Sequence, residues 1–118
     1  DERQMEQVFH NIILNAIQAL EGRKDGLIGI RTLRQDSTVQ ISISDNGPGI
    51  PKEHLSLIFD PFFTTKPPGK GTGLGLSISS EIIKKHGGSI WVESEPGRGT
   101  TFHIILPVRT GINLNGAV

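Results

Sequence analysis

Glycine recurs at every second position through Gly71-Thr72-Gly73-Leu74-Gly75-Leu76. Such a run leaves backbone N–H groups bare and lets the chain approach a ligand closely. Leu74, Ile78 and Ile82 follow at helical spacing, so the pattern predicts a helix growing directly out of the glycines. Free amides and the positive end of a helix together suit a phosphate. Alone, a glycine-rich turn before a helix is usually just a turn. Three other unusual segments surround it: Asn11 with Asn15, Asp45-Asn46-Gly47-Pro48-Gly49, and Phe59 to Lys66.

Asn11 and Asn15 lie four residues apart, so on a helix their amides stack on one side. Gln4, Gln7 and Gln18 share that side, which is polar but uncharged. A plain solvated face more often carries Glu and Lys, and Asn is a poor helix former. Carboxamide oxygens are hard neutral donors suited to Mg²⁺, which completes its shell with phosphate and water. The competing reading is an amide pair hydrogen-bonded to a neighbouring loop, and this helix alone favours it.

Asp45 shares strand parity with Val39, Ile41 and Ile43, so it points to the core side, where an unpaired carboxylate is costly. It either caps its own Asn46-Gly47-Pro48-Gly49 turn or accepts a bond from an amine of a ligand, such as that of adenine. Gly47 and Gly49 would let a flat ring reach the backbone. Ile58-Phe59-Asp60-Pro61-Phe62-Phe63 is aromatic-dense in a chain with few aromatics, and its phenylalanines most simply anchor a loop onto the core. Lys66 and Lys70 come after it, either as solvated loop residues or as point charges for phosphates.

These segments need elements to hold them. Met5, Val8, Phe9, Ile12, Ile13, Ala16 and Leu20 form an apolar stripe that predicts a helix over about 2–20. Asp1 and Gln4 have capping-box spacing at its start. Alternation predicts strands over about 27–34, 38–45, 89–94 and 100–106, the last two joined by Pro96-Gly97-Arg98-Gly99. A short helix is expected from Pro51 to about Leu57, a loop over about 60–72, and a helix over about 73–86 stopped by Gly87-Gly88. Strands with one apolar face predict a largely antiparallel sheet covered by helices on that face, a two-layer α/β sandwich of the α+β class.

At 118 residues the chain is one domain's length. Apolar content of 35% and zero formal net charge are ordinary for a globular domain and argue against a nucleic-acid surface. With no cysteine there is no disulfide, thiolate metal site or cysteine nucleophile. No apolar run is long enough to span a membrane, so a cytoplasmic setting is expected, with room for a membrane-anchored parent. The opening almost inside a helix reads as a piece of a longer chain. Residues 1–108 are expected to form the domain and 109–118 a flexible tail.

Taken together the segments resemble, in order and over nearly the whole chain, the ATP-binding catalytic domain of sensor histidine kinases in the GHKL superfamily (gyrase, heat-shock chaperone, histidine kinase, MutL). Asn11-Ile12-Ile13-Leu14-Asn15-Ala16 looks like the N box and Asp45 to Gly49 like the first glycine box. Phe59 to Lys66 looks like the F box, Gly71 to Leu76 like the second glycine box, and Gly99-Thr100-Thr101-Phe102 like the closing strand. The Pro-Phe-Phe-Thr-Thr-Lys form and short lid are similar to the nitrogen-regulation and sporulation-kinase branch.

The resemblance implies the Bergerat fold, a mixed, mostly antiparallel sheet under three helices, with a preceding strand and helix missing here. It implies ATP and Mg²⁺ as cofactors. Asn15, helped by Asn11, would hold the metal and serve catalysis. Asp45 would bind the adenine amino group, with Thr100 nearby. Gly71, Gly73 and Gly75 would form the lid hinge. Gly47, Gly49, Ile50, Phe59, Lys66, Lys70, Thr72, Leu74 and Leu76 would complete the nucleotide site.

The nucleophile in such kinases is a histidine on a separate helical dimerisation domain of the same parent, and a response regulator acts downstream. This chain by itself is expected to be monomeric. Chaperone- and MutL-type ATPases carry a glutamate base where this chain has Asn11, which takes no proton, and anti-sigma serine kinases also tend to carry an acid there. A non-catalytic nucleotide sensor that only changes lid order is a third reading. None of His10, His54, His86 and His103 precedes an acidic residue, as the phosphoacceptor motif requires. His10 and His86 fit exposed helix positions and His103 the polar strand face. Incubation with Mg-ATP should therefore leave the chain without phosphohistidine, and mass spectrometry detecting one would overturn that expectation.

Overall fold

A computed structural model describes residues 1–63 and 74–108. Helix α1 spans Glu2–Ala19. The Asp1 carboxylate accepts from the backbone N–H groups of Arg3 (2.8 Å) and Gln4 (3.4 Å), satisfying donors that a helix start otherwise leaves bare. Strands β1 (Ile28–Gln35) and β2 (Thr38–Asp45) form a hairpin closed by a two-residue turn, where Asp36 takes a positive φ of 50°. Helix α2 covers Gly75–Lys85, and β3 (Ser89–Glu95) and β4 (Gly99–Pro107) form the second hairpin.

All three strand pairings are antiparallel, in the order β1-β2-β4-β3. Both helices lie on one face. There Val8 and Ile12 of α1 meet Ile82 and Ile83 of α2, Ile43 of β2, Phe102 and Ile104 of β4, and Ile58 of the intervening loop. The α+β two-layer sandwich read from the alternation is present. The described residues hold four antiparallel strands and two helices; the parallel pairing and third helix implied by the family resemblance are not among them.

Three local outcomes differ from expectation for physical reasons. The stretch expected as a helix from Pro51 to Leu57 makes a single 3₁₀ turn, Lys52–His54. Its continuation uses i→i+3 bonds, as from the N–H of Leu57 to the carbonyl of His54 (2.8 Å) and from that of Asp60 to Leu57 (2.9 Å). A segment bounded by Pro51 and Pro61 is too short to recover the cost of helix nucleation. Strand β1 alternates in sequence, yet as an edge strand it is exposed along nearly its whole length, Ile30 and Leu33 included. Phe59 anchors the loop edge-to-face on Phe102 and Phe63 does so on His54, whereas Phe62 is 72% exposed.

Helix α2 stops as the paired glycines predict. Gly87 takes a φ of 78°, its N–H donates to Lys84 O and that of Gly88 to Ile83 O, a Schellman end. Gly88 itself leaves no room for a Cβ, which would run into the carbonyl of Ile105 on β4. That approach seats α2 on the sheet and sets where its N-terminus points. Ile104 has no exposed surface and sits mid-strand beneath both helices. Ile104→Ala should cost about 2–5 kcal/mol of stability, read as a lower midpoint in urea unfolding.

Candidate functional site

Strand β2 ends in Asp45, which lies in register with Thr100 of β4. Both are buried on the helix-covered face. Burial pushes the Asp45 carboxyl above its ordinary pKa; the backbone amide of Gly47, the charge of Arg23 and the amide of Thr100 pull it back only in part. The Gly47 N–H donates to Asp45 Oδ1 at 2.8 Å. The residue thus caps its own turn, one of the two roles its sequence position allows. A carboxylate with these donors still keeps further acceptor capacity in a poorly solvated place.

The turn after Asp45 is held from both sides. Asn46 accepts from the Leu27 N–H (2.7 Å), donates to the Asp25 carbonyl (2.9 Å), and its own carbonyl accepts from Arg23 (3.0 Å). Gly47 is tight against Ala19 of α1, so even a methyl would crowd both Ala19 and the Asp45 carboxylate. Gly49, at φ 80°, lies against the Glu95 carbonyl, and the Gly97 N–H donates to Pro48 O (2.7 Å). Gly49 is therefore needed for packing against the β3–β4 turn.

On the helix side, Asn11 and Asn15 are both half-buried on α1. The Asn11 amide nitrogen donates to the Gly75 carbonyl (3.1 Å) and to Ser79 Oγ (3.2 Å). These bonds clamp the N box to the first turn of α2 and set the flip of the amide, so the carbonyl oxygen is its remaining polar atom. An oxygen donor in that place fits a hard cation such as Mg²⁺. Helix α2 begins at an N-cap, Leu74, that makes no side-chain cap, and it has no acidic residue in its first turn. That is the terminus most open to an anion.

Ile50, Phe59 and Leu76 pack on the core, and Leu74 and Gly75 begin α2. Lys66, Lys70, Gly71, Thr72 and Gly73 lie outside the described residues, as does the expected tail. Three residues that organise the site were not singled out from sequence, Arg23, Ser79 and Ser94, and Asn46 was read only as part of its turn. Ser79 is fully buried on α2, and Ser94 faces the core side of β3 in step with Ile90 and Val92. A serine at an apolar-parity position was the available signal.

The other sheet face is open and chemically distinct. It bears a cavity of about 590 Å³ lined by Arg31, Gln40, Ser42, Glu93 and His103 among others. His103 lies there as alternation predicts, bonded to Ser42 (2.8 Å) and Glu93 (2.6 Å) and stacked on Trp91. His10 is exposed; His86 departs from expectation, being half-buried with Nδ1 2.7 Å from the Ile82 carbonyl.

A buried acceptor, an amide-bearing helix and a helix start with no side-chain cap are together able to hold a nucleotide. Residues 1–110 match the family of histidine kinase-, DNA gyrase B- and HSP90-like ATPases, and the chain belongs to that family. It is 46% identical over 110 residues to sporulation kinase C of Bacillus subtilis, covering 93% of this chain and 25% of that protein. It is 50% identical over 109 residues to the signal transduction histidine-protein kinase AtoS of Escherichia coli, covering 92% and 17%. Among solved structures, the catalytic domain of the histidine kinase ThkA superposes with a TM-score of 0.78 at 42% identity, covering 91% of this chain and 68% of that one. The chain thus spans a quarter or less of these curated relatives. Membership brings ATP binding and the catalytic-domain fold of histidine kinases. Among the described residues no helix is long and apolar enough to cross a membrane.

The raised Asp45 carboxyl has a measurable consequence. Unfolded, it titrates near its ordinary 3.8; folded, it titrates higher. Between the two values the folded state holds the proton more tightly, so stability falls as pH rises through that window. Asp45→Asn removes the loss. The unliganded variant should melt higher than the parent at neutral pH, with the gap closing as pH falls to the ordinary carboxylate value. Equal melting at neutral pH would show that the ionised carboxylate is no net burden.

Proposed function

We propose that this chain binds Mg-ATP and donates the γ-phosphoryl group to a histidine on a separate helical dimerisation domain of its parent, in two-component signalling. The observation that carries this reading is Asn11. Where an ATPase would hold a glutamate to deprotonate water, this chain holds a carboxamide that donates to Gly75 and Ser79 of α2. It takes no proton, which disfavours activation of water there and favours transfer to a protein nucleophile.

Each remaining role is supported by a feature of this chain. Asp45 accepts from the adenine amino group, with Thr100 beside it, and Gly47, Gly49, Ile50 and Phe59 bound the ring. Leu74, Gly75 and Leu76 bring the uncapped start of α2 to the phosphates. Gly71, Thr72 and Gly73 wrap the phosphates, and Lys66 and Lys70 lend positive charge. Asn15, with Asn11, supplies amide oxygens to Mg²⁺, which when bound offsets phosphate charge. The incoming histidine nitrogen forms a bond to the γ-phosphorus as the bond to the β–γ bridging oxygen breaks and ADP leaves. Residues 1–108 constitute the catalytic unit, of the sporulation and nitrogen-regulation branch. It works in the cytoplasm, alone as a monomer, with a response regulator downstream and no nucleic-acid partner.

Calorimetric titration with a non-hydrolysable ATP analogue, with and without Mg²⁺, tests the site. One-to-one binding that tightens with Mg²⁺ is expected, followed by transfer to the helical domain added in trans. Asn15→Ala should remove mainly the Mg²⁺-dependent part of the affinity. An equal loss with and without Mg²⁺ would remove Asn15 from the metal, and binding without transfer would favour a nucleotide sensor.

A further inference from the structure

We propose that Ser94 is a specificity-positioning residue. It fixes the hydrogen-bond direction of Thr100, so that Thr100 meets a bound purine as an acceptor and the pocket selects a 6-amino over a 6-oxo ring. This rests on the ATP-site reading above and adds a residue and a selection rule to it.

Ser94 lies in register with Thr100 across β3 and β4, and Thr100 lies in register with Asp45 across β4 and β2. The three residues form one row under the helix layer. Three groups meet at Ser94 Oγ: the backbone N–H of Ile50 (2.8 Å), the carbonyl of Gly99 (2.9 Å) and the hydroxyl of Thr100 (2.9 Å). A serine hydroxyl has one hydrogen and two acceptor positions. The Gly99 carbonyl can only accept, so it takes the hydrogen. The Ile50 N–H can only donate, so it occupies one lone pair. The Thr100 hydroxyl must then donate into the other. This is the assignment that satisfies all three contacts.

Thr100 has a single hydroxyl hydrogen, and Ser94 holds it. What Thr100 retains for the buried face is lone pairs. Ionised Asp45 beside it is also an acceptor only. Two neighbouring acceptors match an exocyclic amino group, which brings two N–H donors. They oppose a 6-oxo group, whose own lone pairs would face theirs with no hydrogen between. Without the Ser94 oxygen, the Thr100 hydroxyl is free to turn and donate to a carbonyl.

The test compares calorimetric affinities for ADP and IDP, which differ at the 6-position and at N1, where IDP carries a hydrogen. The parent chain should prefer ADP. In Ser94→Ala the ratio of the IDP to the ADP dissociation constant should fall roughly three- to tenfold, the scale of one neutral hydrogen bond. Ser94→Thr, which keeps the hydroxyl, should restore the ratio. Thr100→Val should lower it to the same degree, and adding Ser94→Ala to that variant should lower it no further. Loss of both affinities by one common factor in Ser94→Ala would mean that Ser94 only braces the Ile50 turn, and would overturn the proposal. If Ser94→Ala does not fold, Thr100→Val decides: an unchanged ratio overturns the proposal and a lowered one supports it. A folded parent chain that binds neither nucleotide, or both equally, would overturn the ATP-site reading itself.

Discussion

Gly99 sits where any side chain would run into the carbonyl of Asp45. That contact, at a φ of 115°, lets β4 begin directly opposite the end of β2. The closeness of these two strands sets the geometry of the buried site. It puts Thr100 across from Asp45, brings Ser94 to Thr100 from the other side, and pulls the β3–β4 turn against Gly49 and Pro48. Two segments some fifty residues apart in sequence thereby become one wall. A Cβ at Gly99 would force them apart and loosen every hydrogen bond in that row.

Asp45 shows what the wall costs the free protein. Its carboxyl is desolvated, and the donors around it do not fully compensate. A residue placed only for stability would be uncharged there, or matched by a closer cation than Arg23. Among the described residues the carboxylate is only partly satisfied, yet it is rigidly held by Gly47 and by the braces on Asn46. Rigidity matters as much as charge, because a mobile carboxylate would find water or a neighbour instead. The clamp from Asn11 to α2 does a similar job on the other side. It couples the helix that carries the amides to the helix whose N-terminus is open.

Much of this was legible in the residue order, though not evenly. The Asp45 parity, the glycine stop of α2 and the alternation of β2 and β4 are local properties, written in a few neighbouring residues each. Asn11 was harder, because a helical amide pair reads as a metal ligand or, more readily from the helix alone, as a bond to another segment. The structure shows the second for the Asn11 amide nitrogen, which leaves its oxygen for the first. After Pro51 a short helix is expected and a single 3₁₀ turn is found, because the segment is too short to sustain a helix. Phe62 resembled its neighbours in type, yet it is Phe59 and Phe63 that find rings to pack on.

What the sequence determined by itself was the type of the two helices and four strands, the inward faces of α1, β2 and β4, the family, and the chemical character of the candidate ligands. Periodicity, turn residues and ordered motifs act over a few residues, so they survive in a one-dimensional reading. Tertiary structure alone decided the neighbours: Ser94 beside Thr100, Ser79 beside Asn11, Arg23 over the Asp45 turn, and a bare edge at β1. Those depend on strand order and on how closely two backbones approach, and no local pattern encodes a distance between residues that meet only when the sheet closes.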